Sequence, residues 1–162
     1  MGQQSDGNNL TSLWTLTSGG NGFANPGKKW DNDDRTTGSW SWDRSKPVTG
    51  DFNGDGKTDV GILYNNGQTS DGRNQTSLWT LTSTGTGISG PAKKWDSAAG
   101  SWNWNTSKAG AGDFNGDGKT DVGILYDYGQ QTGGTNRTGL WRITSTGTGF
   151  DVPALAWDSN NR

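Results

Sequence analysis

The sequence predicts an all-β fold of short, four-stranded antiparallel sheets repeated along the chain. Three observations carry this. The chain repeats itself with a period of 62 residues. No window sustains the 3.6-residue period of an amphipathic helix. β-Branched and aromatic runs such as Val60-Gly61-Ile62-Leu63-Tyr64 alternate with clusters of Gly, Asn, Asp and Ser, the pattern of strands between turns.

The repeat can be followed residue by residue. Asn9-x-Thr11-x-Leu13-Trp14 recurs as Asn74-x-Thr76-x-Leu78-Trp79 and as Asn136-x-Thr138-x-Leu140-Trp141. Each copy continues through a turn region to Phe23, Ile88 or Phe150, then to Pro26, Pro91 or Pro153. It ends in Trp30-Asp31, Trp95-Asp96 or Trp157-Asp158. A Gly-Ser-Trp-x-Trp element follows twice, at Gly38 to Trp42 and at Gly100 to Trp104. The first copy holds three extra residues between Asn32 and Thr37, and all ten Trp occupy repeat positions.

Within one repeat the expected strands are 106–113, 121–127, 139–145 and 153–158. Val122, Ile124 and Tyr126 share one face of the second, and Gly123 and Leu125 the other, because side chains alternate along a strand. The earlier copy gives 44–51, 59–65, 77–83 and 91–96, and the first gives only a third and fourth strand, 12–18 and 26–31. Blades of this size are what radial repetition of small sheets requires. The chain then reads as one array: a partial blade over 1–43, a blade over 44–105 and a blade over 106–162.

Between the first two strands of each complete copy lies Asp-Phe-Asn-Gly-Asp-Gly-Lys-Thr-Asp, identical at Asp51–Asp59 and Asp113–Asp121. Side-chain oxygens fall at alternate positions: Asp51, Asn53, Asp55 and Asp59, and again Asp113, Asn115, Asp117 and Asp121. Lys57 and Lys119 would contribute their backbone carbonyls. A set of oxygens on a curled loop suits Ca2+, and Gly56 and Gly118 permit the sharp turn. An EF-hand would place a bidentate Glu twelfth in the loop. Ile62 and Ile124 stand there, so each loop closes on its own last Asp and feeds a strand.

Asp-Phe-Asn-Gly-Asp-Gly-Lys-Thr-Asp-Val resembles the calcium loop of FG-GAP/VCBS-type β-propeller repeats, found in integrin α-subunit heads and in bacterial secreted proteins. The Trp-rich surroundings resemble the bacterial forms. The resemblance implies four-stranded antiparallel blades with the ion in the first hairpin, and a secreted or extracellular, bacterial setting. It fixes no ligand, because function lives in sites grafted on folds.

Composition narrows the classes. Apolar residues are 27% of the chain and Gly is 28 of 162, which argues against one large aliphatic core. Such a composition suits disorder, but ten regularly placed Trp, each with a large burial area, argue for packed structure. The net charge of −2 comes with no basic stripe, so a nucleic-acid partner is not expected. No apolar run would span a bilayer as a helix. Cys is absent, which excludes disulfides and thiolate metal sites.

Catalysis has little to use. With no His and no Cys, the usual base and the thiol nucleophile are missing, and all 16 acidic residues are Asp. A non-enzymatic role is expected. Trp14, Trp79 and Trp141 read as filling between blades. The pairs Trp40/Trp42 and Trp102/Trp104 would share a strand face by the period of two, one indole packing while the other is exposed to a sugar's apolar face. That gives a lectin-like, glycan- or cell-surface-binding propeller. The alternative is a structural or protein–protein interaction scaffold with calcium serving stability alone. The Asn-x-Thr triplets and Asn105-Thr106-Ser107 read as polar turn residues, and Asp31, Asp33 and Asp34 as a solvated acidic loop. Three outer strand pairs against two inner pairs make about two and a half blades, short of the four to eight of a closed ring. A homo-oligomer, dimer or trimer, is therefore expected, the rival being that the chain is part of a longer propeller.

Overall fold

Among the residues that the computed structural model describes (9–32, 40–98 and 101–160), all regular structure is strand apart from two 3-10 turns. Asp33, Asp34 and the extra residues of the first copy fall largely outside the described residues. The first copy forms β1 (Ser12–Thr15) and β4 (Gly27–Asp31), paired antiparallel, with the minor hairpin β2 (Ser18–Gly19) and β3 (Gly22–Phe23) between them. The second copy is a complete sheet of β5 (Ser45–Gly50), β6 (Asp59–Gln68), β7 (Asn74–Leu81) and β8 (Ala92–Asp96), in that spatial order. The third repeats it with β9 (Ser107–Gly112), β10 (Asp121–Gln130), β11 (Asn136–Ile143) and β12 (Ala154–Asp158). Every pairing is antiparallel between strands consecutive in the sheet. The expected half-blade and two four-stranded blades are thus present, and the described residues do not close a ring.

Register follows the hydrophobic pattern, since a slip by one residue would send the apolar set to the wrong face. Ile62 faces Trp79 and Leu63 faces Leu78 across β6 and β7; Ile124 faces Trp141 and Leu125 faces Leu140 across β10 and β11. Each central hairpin also has a bulge, at Gly67 (φ 90°) and Gly129 (φ 77°), where the left-handed backbone suits glycine.

The core lies between the two complete blades. Val48, Phe52, Leu63 and Leu78 of one meet Val122, Ile124 and Ile143 of the other, together with Trp102 from the connector. Burying a side chain of this kind stabilises by about 1.5–3 kcal/mol. The Val-Gly-Ile motif has a packing reason. A Cβ on Gly61 would stand 2.9 Å from Val48 Cγ2 and 3.1 Å from the Phe52 ring, so the loop's Phe lies flat on the strand only over glycine. Close approach recurs between blades: a Cβ on Gly50 would stand 2.2 Å from Thr120 Cγ2. No described helix is long and apolar enough to cross a membrane.

Candidate metal centre and indole clusters

Each Asp/Asn/Gly loop is the turn of an inner hairpin, β5–β6 or β9–β10. Its first carboxylate organises it. Asp51 Oδ1 accepts the N–H groups of Gly54 (2.7 Å) and Asp55 (3.0 Å), and Oδ2 accepts that of Gly56 (2.7 Å). Asp113 does the same with Gly116 (2.7 Å), Asp117 (3.2 Å) and Gly118 (2.9 Å). Gly54, Gly56, Gly116 and Gly118 all have φ between 77° and 82°, which turns those N–H groups inward. The Gly118 N–H and its neighbours hold the Asp113 carboxyl below the usual carboxylate range. Asn53 and Asn115 accept the N–H groups of Asp55 and Asp117 at 3.0 Å. Asp55 and Asp117 accept those of Lys57 and Lys119 at 2.9 Å, and pair with the same lysines' ammonium groups at 3.1 and 3.0 Å.

The last Asp of each loop is buried, Asp59 at 1% exposure and Asp121 at 0%. Burial pushes the Asp59 carboxyl up. Its Oδ1 accepts from Ser83 N–H at 2.8 Å and its Oδ2 from Phe52 N–H at 3.3 Å. Asp121 Oδ1 accepts from Ser145 N–H at 2.8 Å, while its Oδ2, fully buried, has no hydrogen-bond partner. An unmatched buried carboxylate oxygen is costly and calls for a counter-charge. Among the described residues, no three acidic side chains converge as they stand into a metal-holding group. The donors nevertheless fit a hard cation. All are oxygens, each carboxylate keeps lone pairs beyond its N–H bonds, and Asp121 Oδ2 is unmatched.

The indoles are arranged otherwise than the period of two implies. Trp42 and Trp104 open 3-10 turns, Trp42–Arg44 and Trp104–Thr106, so neither pair lies on a strand. The alternation rule presumes a ladder, and the connectors have none here. Instead, Asn103 Oδ1 accepts the Asn105 N–H at 3.0 Å and tightens the turn. Trp40 (4% exposed) and Trp102 (9%) are buried as clasps between consecutive copies. Trp102 stands edge-on to Trp95 of one blade (5.8 Å) and to Tyr126 (5.2 Å) and Trp141 (5.4 Å) of the next. Trp40 does the same with Trp30 (5.9 Å) and Trp79 (5.5 Å), and lies tilted on Tyr64 (4.8 Å). Trp79 and Trp141 thus fill between copies, as their positions imply, whereas Trp14 is exposed.

Trp104 is also engaged. Its Nε1–H donates to Leu63 O at 2.8 Å, and Lys46 Nζ lies 3.8 Å from its ring centroid. Lys46 Nζ donates further to the carbonyls of Trp104 and Ser107, and burial draws its pKa down. Lys46 escaped notice in the sequence; its signal is the Ser-Lys pair in register at Ser45-Lys46 and Ser107-Lys108. Of the four paired indoles only Trp42 is largely exposed.

A polar cleft of about 450 Å³ opens beside Trp79, lined by Asn66, Gln75 and Asp96 among others. In the third copy Tyr128 and Arg137 stand where Asn66 and Gln75 do. There Arg137 lies 4.3 Å over the Tyr128 ring and pairs with Asp158, Nη2 to Oδ2 at 2.6 Å. The guanidinium holds the Asp158 carboxyl below its ordinary value of 3.8. A depressed carboxyl stabilises the fold above the unfolded-state pKa, and that contribution is lost as pH falls through the folded one. Below about pH 4, melting temperature should therefore fall more steeply for the wild type than for Arg137→Gln. Parallel acid profiles of the two by circular dichroism would show that the pair contributes nothing.

No curated protein and no solved structure matches the chain significantly. Residues 51–124, from the first Asp/Asn/Gly loop to the middle of β10, match the family model of the FG-GAP-like repeat.

Proposed function

We propose that the chain is a non-catalytic interaction scaffold of propeller blades, acting outside the cell and stabilised by calcium. The observation that carries the scaffold reading is where the repeated residues are used. Trp40, Trp102 and Trp104 all join one copy to the next rather than facing solvent. Calcium would be held by Asp51, Asn53, Asp55, Asp59 and the Lys57 carbonyl, and by Asp113, Asn115, Asp117, Asp121 and the Lys119 carbonyl. When bound it supplies positive charge that ties the two ends of each hairpin loop together. Extracellular calcium modules work with dissociation constants on the order of 10⁻⁴–10⁻³ M, which suits loops as open as these.

The cleft beside Trp79 favours a second reading, recognition of a neutral glycan. It sets an indole next to amide and carboxylate groups, the combination that suits a sugar's two kinds of surface. A broad glycan array, probed with calcium present, separates the two. The scaffold reading expects no retained glycan. Retention by the wild type that is lost in a folded Trp79→Ala variant transfers the function to carbohydrate binding.

A further inference from the structure

The join between the two complete blades is a template for a second join that the described residues leave unmade. In the join that exists, the connector before β9 reaches back to the preceding blade. Trp104 donates to Leu63 O and lies under Lys46. Thr120 N–H donates to Asp51 O at 2.7 Å, its side chain seated over Gly50. Phe150 meets Phe52 edge-on at 5.7 Å. Advancing the receiving half by one repeat of 62 residues gives Lys108, Gly112, Asp113, Phe114 and Leu125 on the third copy. Moving the inserting half back by one repeat gives Trp42, Thr58 and Ile88 on the second.

Among the described residues, both displaced halves lack their partner. Leu63 is 0% and Phe52 4% exposed, but Leu125 is 47% and Phe114 52% exposed. A cleft of about 370 Å³ opens at Lys108 and Leu125, where the second copy holds the Trp104 indole. At the other end Trp42 is 61% exposed and Thr58 is exposed. Among the described residues, Trp42 thus has no receiving cleft and the Lys108–Leu125 cleft holds no indole.

We propose that copies of this chain associate head to tail, Trp42 of one copy seating in the Lys108–Leu125 cleft of the next. The indole N–H then donates to the Leu125 carbonyl, and Lys108 covers the ring and reaches the carbonyls of Trp42 and Ser45. Thr58 sits over Gly112, and Ile88 against Phe114. The surfaces are complementary by identity, since Lys108, Gly112, Phe114 and Leu125 repeat Lys46, Gly50, Phe52 and Leu63. The half-blade β1–β4 yields its place. It now holds Trp40 by Thr11 Oγ1 to Trp40 O (2.8 Å) and by the Trp30 edge contact. The incoming blade offers Thr138 and Trp157 for the same two roles, together with inner strands, which the half-blade does not have among the described residues. Two isolated strands are marginal, four are not. The joined patches differ, so the contact is heterologous and a closed ring forms where the rotation permits. Each copy brings two complete blades, so a dimer makes four and a trimer six, within the four to eight typical of propellers.

Light scattering after size exclusion, on the full chain with calcium present, tests this. The wild type is expected at two or more times 17.2 kDa. Trp42→Ala and Leu125→Arg alter exposed side chains, so each should keep the wild-type circular dichroism spectrum of the single chain. Each should weaken association by roughly tenfold or more. Mixed one to one, they should form a dimer, because Leu125→Arg chains keep the indole and Trp42→Ala chains keep the cleft. A wild type that stays at 17.2 kDa throughout the micromolar range overturns the proposal. So does an oligomer indifferent to both substitutions, or a mixture that remains monomeric. Neither the glycan array nor calcium titration reads this association, so its failure leaves those readings standing.

Discussion

Trp102→Ala is expected to cost about 3–5 kcal/mol, the range for truncating a large aromatic in a core. Trp102 is 9% exposed and touches aromatic rings of both complete blades. Edge-to-face pairs of this kind add about 0.5–1.5 kcal/mol each beyond area burial. Its Nε1–H also donates to Ser107 Oγ at 3.0 Å, next to the buried start of β9. The backbone at this position is tied to β7 independently, by Trp102 N–H to Asn74 O (3.1 Å) and by Thr76 Oγ1 to Trp102 O (2.8 Å). Those bonds remain in the variant, so the loss reports the indole. At roughly 2–4 °C per kcal/mol for a chain of this size, the melting temperature should fall by roughly 6–20 °C. Phe23→Ala, with a ring 72% exposed and outside the joins between blades, is the control and should shift stability by no more than about 0.5 kcal/mol. Thermal melts by circular dichroism decide it. A Trp102→Ala protein that melts with the wild type would mean that the clasp does not hold the blades.

Calcium removal is expected to have the second large effect. An ion bound only by the folded state adds about 2.7 kcal/mol at a free concentration one hundred times its dissociation constant. Two loops would add about twice that, so excess chelator should lower the melting temperature by roughly 10–20 °C. Asp121→Asn sharpens the test, because it removes the charge whose Oδ2 lies buried without a hydrogen-bond partner. Without calcium the substitution should cost little, since an unmatched buried charge is itself unfavourable. With calcium only the first loop should respond, leaving about half of the wild-type shift. An unchanged melting temperature in chelator, with no bound calcium by elemental analysis, would remove the metal from the proposed function.

Local chemistry made most of the fold legible. The strands at 59–68 and 121–130 sit where β-branched and aromatic runs leave the Asp/Asn/Gly turns, and those at 45–50 and 107–112 where the chain enters the same turns. The loops could be read because nine consecutive residues contain the whole device: an Asp to accept, glycines to turn, and N–H groups within a few residues. The third strands begin earlier than the hydrophobic pattern suggests, at Asn74 and Asn136 rather than at Ser77 and Gly139. Polar residues there pair with the bulged ends of β6 and β10 around Gly67 and Gly129, and no hydrophobic alternation marks that pairing.

The repeat, the strands and the paired oxygen-rich loops can be read from the chain alone, because each depends on residues near one another in it. So can the placing of all ten Trp at repeat positions. What each indole does depends instead on how the blades pack. Trp42 and Trp104 are the same residue in the same local turn, yet one is 61% exposed and the other donates to Leu63 O beneath Lys46. The difference is whether a complete blade stands in front. Burial is a property of the neighbouring sheet, which local sequence cannot carry, and among the described residues β1 and β4 have no inner strands beside them to supply it.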